Sequence, residues 1–184
     1  ELPELPSKKR NKYVSQFGLS AYDARVISDE ISMANFFEET VANGAEAKLA
    51  SNWVTSDIVG YLKSNKLSFS ELKLSPENLA EMINMISKNI ISGKIAKEIL
   101  PELIQKNISP KKLVEEKGLA MISDSSSILP IIDELINEHP NEVQAFKNGK
   151  TKLLGFFVGQ LMKRTKGKAD PKLANKLLME KLNS

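Results

Sequence analysis

A chain of 184 residues, 41% hydrophobic and 27% charged, carries enough apolar material to bury a core in one domain or two small ones, and its composition is neither that of a disordered tail nor that of a membrane protein. No cysteine and a single histidine, His139, exclude a disulfide framework, thiolate catalysis and cysteine-based zinc or iron sites, and leave no His pair for a metal and no Ser-His-Asp arrangement. The formal net charge of +3 names no partner by itself.

Residues 1–12, with two Leu-Pro steps followed by Lys8, Lys9, Arg10 and Lys12, read as a linker leading in from an upstream domain. The chain opens Glu-Leu-Pro rather than with Met and has no apolar signal segment, so it reads as a piece of something longer. The missing cysteines fit a cytoplasmic location. Ser20, with Asp23 three residues on, opens a helix over 21–28, and further helices are expected over 29–43, 45–65, 76–89, 94–106 and 110–117. Leu79, Met82, Ile83, Ile86 and Ile90 repeat at helical spacing and predict a buried stripe. Pro101 predicts a kink or break in the 94–106 segment. After Gly118 come expected helices over 126–138, 140–147, 151–165 and 171–182. Ser75-Pro76, Ser109-Pro110 and Asp170-Pro171 read as helix starts, and Gly44, Gly118 and Gly167 as helix ends.

The expected fold is all-α, in two small helical domains whose short connection permits hinged motion. A boundary falls near 107–109 or around Gly118. Residues 13–108 then form a helical domain and 109–184 a basic tail domain.

Most chemistry-bearing constellations have a plainer reading. Gly149-Lys150-Thr151 resembles the end of a phosphate-binding loop, but the position five before Gly149 holds Gln144 instead of glycine, so that loop is rejected. Ser125, Ser126 and Ser127 follow Asp124 as helix-capping chemistry. His139 sits where an imidazolium would suit a helix C-terminus. Glu38-Glu39, Glu115-Glu116 and Asp133-Glu134 are adjacent in sequence, so the members of each pair diverge on a helix and make no acid/base couple. Trp53 reads as a core anchor.

The charge, by contrast, is unevenly placed. Residues 147–184 hold ten Lys/Arg against two acids, a net of +8, while the other 146 residues hold 16 basic and 21 acidic, a net of −5. At ~100° per residue, Leu154, Phe157, Val158 and Leu161 share a core-facing side of the 151–165 helix, and Lys152, Gly155, Gly159, Lys163 and Lys166 share the opposite side. Glycine inside a helix costs roughly 0.5–1 kcal/mol relative to alanine, so two on one face imply that something approaches the backbone closely. A phosphate backbone fits, since glycines admit it and lysines neutralise it. Lys150 and Lys168 extend the positive surface, and Gln160 and Phe156 at its edge offer a hydrogen bond and a stacking ring. The alternative is a protein-interaction scaffold that packs on partner subunits through the Gly155/Gly159 face.

Gly149-Lys150, Leu154-Gly155-Phe156, Val158-Gly159-Gln160, Met162-Lys163 and Thr165-Lys166-Gly167-Lys168-Ala169 together resemble the C-terminal signature of the B subunits of the aspartyl/glutamyl-tRNA(Asn/Gln) amidotransferases, the GatB/YqeY family. Upstream, Gly18-Leu19, Tyr22-Asp23-Ala24, Phe37-Glu38, Asn52-Trp53, Ile91-Ser92-Gly93-Lys94 and Val114-Glu115-Glu116-Lys117-Gly118-Leu119 match as well, so the resemblance spans nearly the whole chain. Asp170, where Asn is expected, and Pro101 depart from the pattern. The resemblance implies the helical and tail domains of such a B subunit. In that family the B subunit phosphorylates Glu or Asp mischarged on tRNA(Gln) or tRNA(Asn) with ATP and Mg, and ammonia from the glutaminase (A) subunit then yields the amide; the small (C) subunit is a further partner. ATP and metal would be held by a cradle domain preceding Glu1. This fragment would have no cofactor or catalytic site of its own and no membrane partner, its tail meeting tRNA where the D and T loops join.

Overall fold

The structure is a computed structural model and describes residues 5–183. Among the described residues the architecture is all-α, with no β-strand and one isolated parallel bridge between Ile122 and Ala169. Its contacts divide the chain into two units, one of residues 1–88 and 96–117, the other of residues 89–95 and 118–184.

The first unit begins with α1 (Pro6–Ser15). The stretch that reads as a linker is therefore helical from Pro6 onward, and its residues 1–4 lie outside the described residues. Pro6 takes a first-turn position, where a missing N–H costs nothing. Two of its three lysines are structural: Lys9 Nζ stands 2.9 Å and Lys12 Nζ 3.6 Å from the Glu38 carboxylate, to which the Tyr13 hydroxyl donates at 2.9 Å. Tyr13 is fully buried against Phe37, ring centroids 5.2 Å apart and edge-on. Glu38 lies on α3 (Ile31–Ala42), which follows α2 (Ala21–Ser28). Ser20 caps α2 by accepting the Asp23 N–H at 3.0 Å.

Where the sequence predicts one long helix over 45–65, α4 (Ala47–Asn52) and α5 (Val59–Ser64) are separated by a π-helical stretch, Trp53–Ile58. Trp53 is buried as expected, with Lys97 Nζ 5.9 Å from its ring centre and 3.0 Å from Asp57. A short 3-10 turn, Phe69–Glu71, precedes α6 (Pro76–Ser87), α7 (Gly93–Lys106) and α8 (Pro110–Lys117). Leu79, Met82 and Ile83 are fully buried. Ile90 is not: α6 stops at Ser87 and Asn89 turns left-handed (φ +54°), so Ile90 leaves the helical register and is 41% exposed. Pro101 does not break α7, which continues through it to Lys106.

In the second unit, α9 (Ser125–Glu138), α10 (Pro140–Lys147), α11 (Leu153–Arg164) and α12 (Pro171–Asn183) enclose one core. Ile128, Ile132, Leu135, Phe157, Leu161 and Leu178 are fully buried there. The caps follow the chemistry of the sequence. Asp124 accepts the Ser127 N–H at 2.8 Å, and Asp170 accepts those of Lys172 and Leu173 at 2.7 and 3.1 Å. His139 makes no side-chain cap. Its ring packs edge-on against Phe156 at 5.0 Å, and its Nδ1 lies 3.8 Å from Glu142.

Candidate nucleic-acid interface

The basic surface is built on α11 and the turns at its two ends. Ahead of the helix, the N–H groups of Leu153, Leu154 and Gly155 donate to the carbonyls of Lys150, Thr151 and Lys152 at 3.0–3.2 Å. These three-residue steps wind the chain into α11, leaving Lys150 and Lys152 exposed at its positive end. No acidic residue occupies the first turn and no side chain caps it. Helix dipole and lysine charge therefore add rather than cancel, an arrangement that favours an external anion.

Along the helix, Phe157 and Leu161 are fully buried, and Leu154 and Val158 are half-buried beside them. Gly155, Gly159 and Lys163 recur four residues apart on the outer side and are all exposed. Among the described residues, and apart from the helix's own adjoining backbone, no atom comes within 4 Å of where a Cβ on either glycine would stand. The glycines are thus open backbone rather than a seam filled by a neighbouring helix. Gln160 is half-buried at the edge of this face. Phe156, whose ring meets both His139 and Phe157 (5.3 Å) edge-on, is held in an aromatic cluster and does not stand free for stacking.

The far end differs from the sequence expectation. The helix ends at Arg164 with Thr165 as its cap, and Lys166, expected to continue the stripe, lies past the end in the left-handed region (φ +52°). The Lys166 N–H donates to Lys163 O at 3.2 Å and the Gly167 N–H to Met162 O at 2.7 Å. This is the double bond pattern that closes helices, with lysine at the position that usually holds glycine and Gly167 one place later. The turn is then fastened from below. Thr165 Oγ1, buried, donates to Leu161 O at 2.9 Å and accepts the Ala169 N–H at 3.3 Å. Ile122 N–H donates to Lys168 O at 2.7 Å, and Asp170 N–H to Ile122 O at 3.1 Å.

Charge pairing separates the basic residues into two sets. Arg164 is bound by Glu138 and by Glu134 (3.2 Å), and Lys181 by Asp133 at 2.7 Å. Lys150, Lys152, Lys163, Lys166 and Lys168 form no ion pair among the described residues. In the first unit, Lys9, Lys97, Lys106 and Lys117 meet carboxylates, while others such as Lys63 and Lys111 form no ion pair among the described residues. Among the described residues no group of three or more His, Asp or Glu is placed to hold a metal ion, and no helix is long and apolar enough to cross a membrane.

The family described as the GatB domain matches residues 35–182. A protein of Prochlorococcus marinus strain AS9601, named as the B subunit of aspartyl/glutamyl-tRNA(Asn/Gln) amidotransferase, is 99% identical over all 184 residues of this chain, which cover 38% of that protein. Proteins of the same name from Prochlorococcus marinus strain MIT 9312 and Synechococcus sp. strain CC9605 are 93% and 60% identical over 100% and 99% of this chain, which spans 37% of each.

Proposed function

The chain belongs to the GatB/YqeY family, and on that premise we propose that its second unit is a tRNA-binding element, non-catalytic itself, of an enzyme that converts Glu-tRNA(Gln) or Asp-tRNA(Asn) to Gln-tRNA(Gln) or Asn-tRNA(Asn). The named activity of the relatives requires tRNA, and this chain matches little more than a third of their length. ATP, Mg and ammonia chemistry then belong to other parts of the assembly, with the glutaminase (A) and small (C) subunits as its partners in the cytoplasm.

One observation carries the reading: five lysines without an ion pair among the described residues frame a helix face whose two glycines leave the backbone bare. Phosphates set against Gly155 and Gly159 meet Lys152 at one end and Lys163 at the other, with Lys150, Lys166 and Lys168 beyond. Such contacts position RNA without reading bases, and Gln160 is the one residue of the set with a side chain suited to a base edge or a ribose hydroxyl.

The test is tRNA binding by the 184-residue chain across a salt series, comparing the parent with Lys152→Glu plus Lys163→Glu. Two lost phosphate contacts lower the slope of log affinity against log salt by about 1.4–1.8. Unchanged affinity and slope overturn the reading. Salt-insensitive capture of the partner subunits without RNA, lost on substituting the glycines, would instead establish a scaffold.

A further inference from the structure

The basic surface of the second unit is not confined to the C-terminal stretch. Residues 89–95, which precede α8 in the chain, belong to this unit. The Met121 N–H donates to Ile90 O at 2.7 Å, which joins the segment to the strand-like stretch that also holds the 165–170 turn through Ile122. Lys94 follows, in the first turn of α7. Its Cδ lies 3.8 Å from where a Cβ on Gly167 would stand, an ordinary van der Waals distance, so the aliphatic stem of Lys94 passes beside the side of Gly167 that carries no side chain. Gly167 sits between Lys166 and Lys168, whose Cα atoms are each one peptide, about 3.8 Å, from its own.

We infer that Lys94 is a third member of a phosphate-binding cluster with Lys166 and Lys168, and that the first turn of α7 is part of the RNA-facing surface of this unit. The inference rests on the tRNA-binding reading above and adds a residue that lies more than fifty positions upstream of the basic stretch. Lys94 is exposed and makes no ion pair among the described residues, whereas Lys97, one turn on, is bound to Asp57. Within α9 and at the start of α12 the acids are committed elsewhere, Glu134 and Glu138 to Arg164, Asp133 to Lys181, and Asp170 to the N–H groups that open α12, and Glu98, one turn on from Lys94, forms no ion pair with it. Finally, the cluster stands on a built turn rather than a loose one, because Thr165, Ile122 and the closing bonds at the end of α11 fix it before any ligand arrives. Positive charges assembled in advance save the ordering cost that a flexible loop incurs on binding. The partner that rewards such an arrangement is a chain of phosphates, which several separate lysines can meet at once.

The experiment compares four forms of the 184-residue chain for tRNA binding over a salt series: parent, Lys94→Ala, Lys94→Arg and Lys97→Ala, with the Lys152→Glu/Lys163→Glu form as reference. Lys94→Ala is expected to weaken binding several-fold and lower the salt slope by about 1, with the same thermal melting as the parent because the side chain is exposed. Lys94→Arg restores the slope and Lys97→Ala leaves it unchanged. If the reference form loses binding and Lys94→Ala does not, the inference falls while the reading of α11 stands. An equal loss in Lys97→Ala also overturns it, since any lysine of α7 would then do. If the reference form binds as well as the parent, the α11 reading itself fails.

Discussion

Replacing Gly155 and Gly159 together by alanine separates what the glycines cost from what they allow. Both lie inside α11 on its exposed face, and apart from the helix's own adjoining backbone no atom among the described residues stands within 4 Å of either added methyl, so no clash opposes the change. Alanine in a helix interior is favoured over glycine by about 0.5–1 kcal/mol per site, giving about 1–2 kcal/mol of added stability for the pair. Urea denaturation reads this as a higher midpoint at unchanged slope. The same two methyls hold a phosphate away from the backbone while leaving every lysine in place. Affinity for tRNA should fall about three- to tenfold, or about 0.7–1.4 kcal/mol, with the salt slope nearly preserved. Lower stability would show that the face is not open, and higher stability with unchanged affinity would show that RNA does not approach these glycines.

Two other substitutions test local structure, one in each unit. Lys166→Gly relieves a left-handed lysine (φ +52°), a conformation that costs an L-residue roughly 1–2 kcal/mol. The variant should be about 1 kcal/mol more stable in denaturation while its tRNA salt slope falls by about 0.7–0.9; a less stable variant would refute this account of the turn. Glu38→Gln tests the clamp between α1 and α3. Burial raises the Glu38 carboxyl, but hydrogen bonds from Lys9 and Tyr13 and the nearby charge of Lys12 outweigh it and hold the group below its ordinary value. A carboxyl lowered on folding adds stability that is present above its unfolded value of about 4.3 and is lost as pH falls through the folded value. The variant should be about 1–3 kcal/mol less stable at pH 7, and the gap should close on acidification below about pH 4; a gap constant from pH 7 to 3 would refute the ion-pair account.

Local chemistry explains which parts of the fold were legible in the sequence. Ser20, Ser75, Ser109 and Asp170 announce helix starts because a capping oxygen acts within three residues of itself, and each receives such a bond. Gly44 and Gly118 mark helix ends through positive φ (+90° and +58°). What stayed hidden depends on distant partners. Lys9 and Lys12 of α1 look like linker charge until Glu38, more than twenty residues away, is found between them. The π-helical stretch at Trp53 has no composition that distinguishes it from α-helix. Within the site, the 155–159–163 face follows directly from helical spacing. The position of Lys166 does not, because Gly167 suggests a helix end one residue later than the one formed. Arg164 counts as basic in the sequence but is neutralised by two glutamates thirty and twenty-six positions back.

The second unit is discontinuous, and this bears on how it is made and how it can be dissected. Residues 89–95 leave the ribosome about seventy positions ahead of the Gly167 turn against which Lys94 rests. At about 5–20 residues per second, that segment waits several seconds for the Gly167 turn, and for the first part of that time, until residue 121 is made, the Ile90 carbonyl has no Met121 N–H to accept. A recombinant piece cut just before Gly118, the obvious place from the chain order, would remove that carbonyl and Lys94 together. A useful excision has to start upstream of Asn89.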